Sequence, residues 1–298
     1  MTAAAPAGRA GFVPGADRSR PPAPGDLALP VAGRKLLTGP DGRFHRIDAL
    51  PAGLDWVPLG TLDGTPAWAA DAADTTAADT GAADIGAADT GTLPGRWRGW
   101  RDIATELPEP MATLAGRALA VITWRRTQRW CGACRTELAD VPGETARRCP
   151  GCDLTLFLPL SVAVLVAITR PGRAGGPDEL LLVRHAYGPT QLWALVAGFV
   201  EAGESLEAAA HREVGEEVGL TIGRPAYVDS QPWAVSGPGT LLAGFTATVS
   251  DPAAEPVVDA RELTEARWFP VDALPAELPP AYSISRWLID AVAARARR

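Results

Sequence analysis

The chain has 298 residues, 47% of them hydrophobic, and carries 28 basic against 35 acidic side chains for a net charge of −7. That length accommodates two or three small domains with cores of their own. Five of the acids (Asp71, Asp74, Asp79, Asp84 and Asp89) fall in one low-complexity stretch; without them the charge is near −2, which excludes a global electrostatic grip on duplex nucleic acid.

In chain order, residues 1–35 are rich in Ala, Pro, Gly and Arg and read as a disordered N-terminal tail with no secretory signal. Residues 36–110 hold short strand-like pieces between turn residues, which predicts a small mainly-β N-terminal domain with a hairpin around Asp63-Gly64. Inside it, 70–92 is a degenerate AADTG repeat, too short in period for a solenoid, and reads as a flexible insertion. Residues 111–130 suit a connecting helix, with Leu114, Ala118, Val121 and Ile122 in an apolar stripe. The cysteine segment 131–157 follows, and 158–298 alternates strand and helix signals. LPLSVAVLVAI (158–168) is too short to span a bilayer and reads as a buried strand, as does ELLLVRHA (179–186). A closing helix is expected near 283–296. The chain reads as cytoplasmic, with no membrane partner.

Cys131-Gly-Ala-Cys134 and Cys149-Pro-Gly-Cys152 are two CxxC knuckles 14 residues apart, and no other cysteine exists. Four thiolates so spaced converge tetrahedrally on Zn²⁺, and a site filled by four protein ligands is structural, one zinc per chain. A redox CxxC or packed core cysteines are the alternatives, and two knuckles with none left over favour zinc. Residues 117–148 hold seven arginines against three acids, so the neighbourhood is basic and open to an RNA 5′ end.

In GFVEAGESLEAAAHREVGEEVGL (198–220), a helix over 206–218 with Ser205 as N-cap and Gly219 as stop sets Glu213, Glu216 and Glu217 at i, i+3 and i+4. Three like charges there repel, and solvent or a hard divalent cation would compensate. Glu204 could pair with Arg212 and brace the preceding loop. Spacing alone favours a solvated face. The ordered match to Gly-x5-Glu-x7-Arg-Glu-U-x-Glu-Glu-x-Gly-U, where U is bulky aliphatic, has a chance probability below about 10⁻⁸ per start position.

This segment resembles the signature of the Nudix hydrolase family, over about 158–298. The resemblance implies an α/β fold, an α/β/α sandwich with a mixed sheet, here preceded by a zinc ribbon and the mainly-β domain. It implies hydrolysis of a nucleoside diphosphate linked to another group, with Mg²⁺ or Mn²⁺ held by Glu213, Glu216, Glu217 and the backbone carbonyl of Ala197. Glu217 would be ligand and base together, while Glu204 and Arg212 would fix the loop.

Ser230-Gln231-Pro232-Trp233 lies about ten residues beyond the box. With the ribbon before it, the arrangement resembles the NADH pyrophosphatase subfamily, over about 37–298. That resemblance implies cleavage of NADH or NAD⁺ to nicotinamide mononucleotide and AMP by a homodimer; some members also remove NAD caps from RNA. It further implies a pocket lined from Gln231 through Pro232 and Trp233 to Thr240. Phe199 and Phe157 would stack on a base, Phe157 standing where the subfamily has tyrosine. Glu262 would add a metal carboxylate, and Arg101, Glu144 and Ser285 are further substrate contacts. After SQPW the chain departs from the subfamily's Pro-Phe-Pro, reading AVSGPGT and two residues longer, so a broader dinucleotide or ADP-sugar pyrophosphatase is the competing expectation.

Overall fold

The computed structural model describes residues 11–72, 93–186, 192–236 and 239–296. They fall into two compact units, the chain up to Leu160 with Ala234–Gly239, and Ser161–Trp233 with Thr240–Arg298. The first ten residues of the expected tail and 73–92 of the expected insertion lie outside the described residues.

In the first unit, β1 (Phe12–Pro14), β2 (Leu27–Ala32), β3 (Lys35–Thr38), β4 (His45–Arg46), β5 (Trp56–Leu62), β6 (Thr65–Asp71) and β7 (Arg96–Gly99) form one sheet. Its order is β1-β5-β6-β2-β3-β7, with β4 also on β2; β2 and β6 run parallel and the other pairs antiparallel. The tail reading fails from residue 11 onward, because β2 is an interior strand buried at five of its six positions. Its LALPVA is apolar, but Pro, Gly and Arg on both sides hide it in a compositional reading. Asp26, buried at its start, accepts from Arg20, the Ala23 amide and the Trp68 indole. The expected hairpin joins β5 to β6. Asp63 and Gly64 both take positive φ, 49° and 77°, which a two-residue turn with the sheet's own twist requires.

A short α1 (Trp100–Glu106), absent from the sequence reading, precedes α2 (Glu109–Thr127), which packs on β2, β5 and β6. Alanines 112, 115, 118 and 120 are buried along α2 and let it approach the sheet closely. The helix ends three residues before the expected 130; Gln128 caps it, and Trp130 pairs with Glu137 instead. The ribbon follows as β8 (Ala139–Asp140), β9 (Ala146–Arg148) and β10 (Thr155–Phe157). Arg117 on α2 ties it to the sheet, donating to the Leu59 carbonyl at 2.8 Å and to the Thr145 hydroxyl at 2.9 Å.

The second unit is built on β11 (Ser161–Arg170), the strand expected from the apolar run. Val164, Val166 and Ile168 enter one core, while Leu165 and Ala167 enter another on the opposite face. A strand buried on both faces has no polar side to show, which is why its sequence is continuously hydrophobic. Each such Val, Leu or Ile contributes roughly 1.5–3 kcal/mol on burial. With β12 (Glu179–His185), β13 (Val196–Phe199), β14 (Ala226–Trp233), β15 (Thr240–Thr248) and β16 (Leu263–Pro270), it makes a sheet of order β14-β15-β11-β12-β16 with β13 on β11. The β11–β15 pair is parallel and the remainder antiparallel. Helix α3 (Leu206–Val218) packs on one face and α4 (Ile284–Ala296) on the other, giving the expected α/β/α sandwich on a mixed sheet. No helix among the described residues is long and apolar enough to cross a membrane.

Candidate active site

Helix α3 begins and ends where its sequence signals lie. The Ser205 hydroxyl accepts the Ala208 amide at 3.1 Å, and Gly219 closes the helix in the left-handed conformation. Its buried stripe is Ala209, Ala210, Val214 and Val218, and the glutamates take their environments from their angle to it. Glu213 and Glu217 border the stripe and are drawn into the protein; the Glu216 side chain stays 61% exposed.

Gly198 on β13 makes room for this. A Cβ there would lie 1.9 Å from the Glu213 carboxyl carbon, so only a residue without a side chain lets strand and helix meet across that carboxylate. Arg212 collects what surrounds it. It binds Glu204 in two places, at 2.7 and 2.8 Å, and donates to the Phe199 carbonyl at 2.9 Å, Glu213 at 2.8 Å and Glu216 at 3.0 Å. The guanidinium and the Glu201 amide hold Glu204 down at about 2, so it stays ionised and the loop before α3 is tied to the helix. The three glutamates are therefore not the equivalent trio that helical spacing predicts. Two share an arginine, because Arg212 precedes Glu213 directly and Glu216 by one turn.

Glu217 stands apart. Its side chain is 2% exposed, and neither carboxylate oxygen has a hydrogen-bond partner. Burial, then the charges of Glu213 and Glu262, push it up to about 8; the nearby Ala197 amide offsets this only in part. Burial also raises Glu213 against the pull of Arg212. Glu262 reaches the group by a route no local pattern announces. The last carbonyls of α3, at Glu217 and Val218, accept the amides of Asp259 and Val257, so the 257–262 loop hangs from the helix end. A buried acceptor left without a donor costs free energy that a bound cation returns. Hard carboxylate oxygens around Glu217, with the Ala197 backbone beside it, suit a hard divalent cation.

Other expected contacts are dispersed. Phe199 is half-exposed at the end of β13, and Thr240 is buried opposite Trp233 in the β14–β15 ladder. Pro232 lies exposed on β14, an edge strand where its missing amide costs no pairing. Gln231 is buried with both ends of its amide bound to backbone near the start of α4, and the buried Ser285 hydroxyl in the first turn of α4 has no partner. Arg101, Glu144 and Phe157 belong to the first unit and are not among the residues that the second unit gathers. Residues 237–238 of the altered loop lie outside the described residues. Tyr282, before α4, has its ring 6.3 Å from that of Trp233, a neighbour that a lone tyrosine in a proline-rich turn does not announce.

Among the described residues, the four cysteines are the set whose ligand atoms all lie within 4.8 Å of one another. Sulfur separations of 3.3 Å (Cys134–Cys149) and 3.6 Å (Cys131–Cys152) are far from disulfide length and close to the edge of a zinc tetrahedron, about 3.8 Å. Crowding separates the thiols. The Thr136 hydroxyl and amide bring Cys134 down to about 6, while Cys152, despite the Leu154 amide, is pushed up to about 12 by the other three. The ribbon's arginines are largely spent inside it. Arg147 is buried and donates to the carbonyls of Gln128 and Leu138, Arg125 pairs with Asp140, Arg129 with Glu137, and Arg148 with Asp153.

Three family descriptions match consecutive stretches of the chain: an NADH pyrophosphatase-like rudimentary NUDIX domain over 9–124, an NADH pyrophosphatase zinc ribbon domain over 126–157, and a NUDIX domain over 159–288. The mainly-β N-terminal domain is thus a degenerate relative of the domain that follows it, which its sequence does not reveal because it carries no glutamate box. The NAD-capped RNA hydrolase NudC of Deinococcus radiodurans is 36% identical over 92% of this chain and 90% of its own length. Proteins of the same name from Stutzerimonas stutzeri and Pseudomonas fluorescens are 38% identical over 68% and 70%, and 33% identical over 91% and 92%, of the two chains. With its glutamate box, its four-cysteine ribbon and two relatives matched over nine-tenths or more of their length, the chain belongs to the Nudix hydrolase family, in the zinc-ribbon branch of the NADH pyrophosphatases.

Proposed function

We propose that the protein hydrolyses the pyrophosphate bond of NADH or NAD⁺ to nicotinamide mononucleotide and AMP, and that the same centre removes NAD caps from RNA. The observation that carries this reading is Glu217, a buried carboxylate with both oxygens unpartnered and two other carboxylates beside it. Glu213, Glu216, Glu217, Glu262 and the Ala197 carbonyl would hold Mg²⁺ or Mn²⁺. Bound there, such ions would neutralise phosphoryl oxygens and lower the pKa of the attacking water. Glu217 takes the proton of that water at a carboxylate oxygen. Arg212 keeps Glu204, Glu213 and Glu216 in register.

The family's dinucleotide specificity and the relatives' action on NAD-capped RNA support this substrate class. The altered loop after Trp233 supports the competing reading of a broader dinucleotide or ADP-sugar pyrophosphatase. Comparing kcat/KM for NADH, NAD⁺, ADP-ribose and diadenosine tetraphosphate separates the two: NADH or NAD⁺ is expected among the best, and their absence there refutes the substrate assignment. An RNA grip through the ribbon is less supported, since Arg147 and Arg148 are engaged internally. The reading also includes a homodimer in the cytoplasm. Exposed Phe157 and Leu160, beside the edge strand β10, suit burial against a second copy, and sedimentation would measure the state.

Gly198→Ala is expected to lower kcat about 100-fold with a stability loss of about 1–3 kcal/mol, because the added methyl displaces the Glu213 carboxylate and overpacks the contact. Rates and thermal unfolding of the purified variant check it. A kcat within twofold of the unaltered protein, on the scale of ordinary surface substitutions, contradicts the placement of Glu213.

A further inference from the structure

All but two of the described arginines in the second unit pair with a carboxylate. The exceptions are Arg224 and Arg295, and both line one cavity of about 340 Å³. Neither guanidinium has a partner among the described residues, and neither has the carboxylate of Asp178, which lines the same cavity. A single unpaired arginine on a surface is ordinary. Two that converge on one cavity, in a unit that pairs all its others, leave donors aimed at a common space.

The sheet supplies the floor. Leu165, Ala167 and Leu242 pack beneath α4, and alternation along β11 and β15 puts Thr169, Thr246 and Thr248 on that same face, farther along. Thr169 and Thr248 are ladder partners. The face thus turns from apolar to hydroxyl where α4 reaches its last turn, at Val292 and Arg295. The charge of Arg295 suits that helix end, which leaves its N–H donors unspent. The Thr169 hydroxyl donates to the Ala247 carbonyl at 3.4 Å, so Thr246 and Thr248 are the freer donors. Arg224 enters from the turn before β14, held where the Gly223 amide meets the Thr248 carbonyl at 2.8 Å. Asp178 precedes β12, its own carbonyl accepting the Val271 amide at 2.9 Å. The glutamate centre lies elsewhere. Glu213 meets Gly198 on the α3 face, level with Val164 of β11. Thr169 is five residues, or about 17 Å, along that strand and faces the other way.

We propose that this cavity is a second ligand site, separate from the hydrolytic centre, and that it takes a small sugar phosphate. Arg224, Arg295 and the threonine hydroxyls bind the phosphate, and Asp178 accepts from a sugar hydroxyl. Guanidinium forks and hydroxyl donors match phosphate oxygens in geometry and charge. A carboxylate beside them repels a bare anion, so Asp178 calls for a ligand that brings a donor of its own. The volume agrees, since it lies in the range of small-molecule pockets and an orthophosphate ion would leave most of it empty.

Calorimetric titration of the full chain, without added divalent ions, tests this with ribose 5-phosphate, AMP and inorganic phosphate as probes. At least one ester should bind about tenfold or more tighter than inorganic phosphate, and the two esters distinguish a free sugar phosphate from a nucleotide. Arg224→Ala and Arg295→Gln should each weaken that ester about tenfold or more, the scale of a lost charge-assisted hydrogen bond. Asp178→Ala should bring the ester down to the level of inorganic phosphate. All three positions are exposed, so the variants should melt with the unaltered protein and hydrolyse the best pyrophosphate substrate at its rate. Glu217→Gln should bind the ester unchanged, because the two sites lie on opposite faces of the sheet. No saturable binding of either ester, equal affinity for inorganic phosphate, binding that survives both arginine substitutions, or its loss in Glu217→Gln would overturn the proposal.

Discussion

Replacing Glu217 with glutamine is expected to cut hydrolysis about 10³-fold or more and, at the same time, to stabilise the protein in buffer without added divalent ions. Both effects come from one feature. The carboxylate is buried without a hydrogen-bond partner and beside two like charges, an arrangement that serves a cation and penalises the protein lacking one. The pH dependence follows from the direction of the shift. A carboxyl raised from the ordinary 4.5 to about 8 binds more protons folded than unfolded between those values. Stability is thus full below that window and falls as pH rises through it. The glutamine variant lacks this decline, so its advantage in melting temperature should be largest near pH 8 and fade toward pH 5. The gain is at most a few kcal/mol. Turnover that survives the substitution, or melting curves that coincide at pH 8, would sink the assignment of Glu217.

Cys149→Ser is expected to release the zinc, one ion per chain by metal analysis, and to unfold the ribbon. Cys149 is fully buried, and the ribbon's apolar cluster consists of Cys131, Leu138 and Cys149 with Leu156 packed against them. So small a cluster cannot offset the chain entropy of some thirty residues, whereas a structural zinc site supplies about 10–16 kcal/mol in comparable peptides. Trypsin should then cut after Arg135 and Arg148 much faster than in the unaltered protein. The second unit has two cores of its own on either face of its sheet and should survive as a resistant fragment. Unchanged zinc content in the variant would falsify the four-cysteine site.

What the sequence made legible was local. Helix α3 could be drawn from Ser205 to Gly219 because caps and apolar spacing lie within the helix itself. The cysteine knuckles likewise declare themselves by spacing. The division of labour among the glutamates was illegible, because it depends on what the helix meets: Gly198 across Glu213, and a loop hung from the last turn that brings Glu262 toward Glu217. Gln231 belongs to the same class. Read as a pocket residue from its motif, it has an amide bound 51 and 53 residues away, and no nearby residue signals that. The buried β2 was missed for the opposite reason, since six apolar residues among prolines and glycines look like tail until a sheet closes around them.

One property of β14 has a consequence for how such a protein diversifies. As the outermost strand it has a neighbour on one side alone, so its far end can gain residues without breaking a second ladder. The glutamate centre has no such latitude, for it sits where β13 and α3 touch across a glycine. The segment after Trp233 is therefore free to vary in length and composition, and with it the choice of substrate, without disturbing the glutamates.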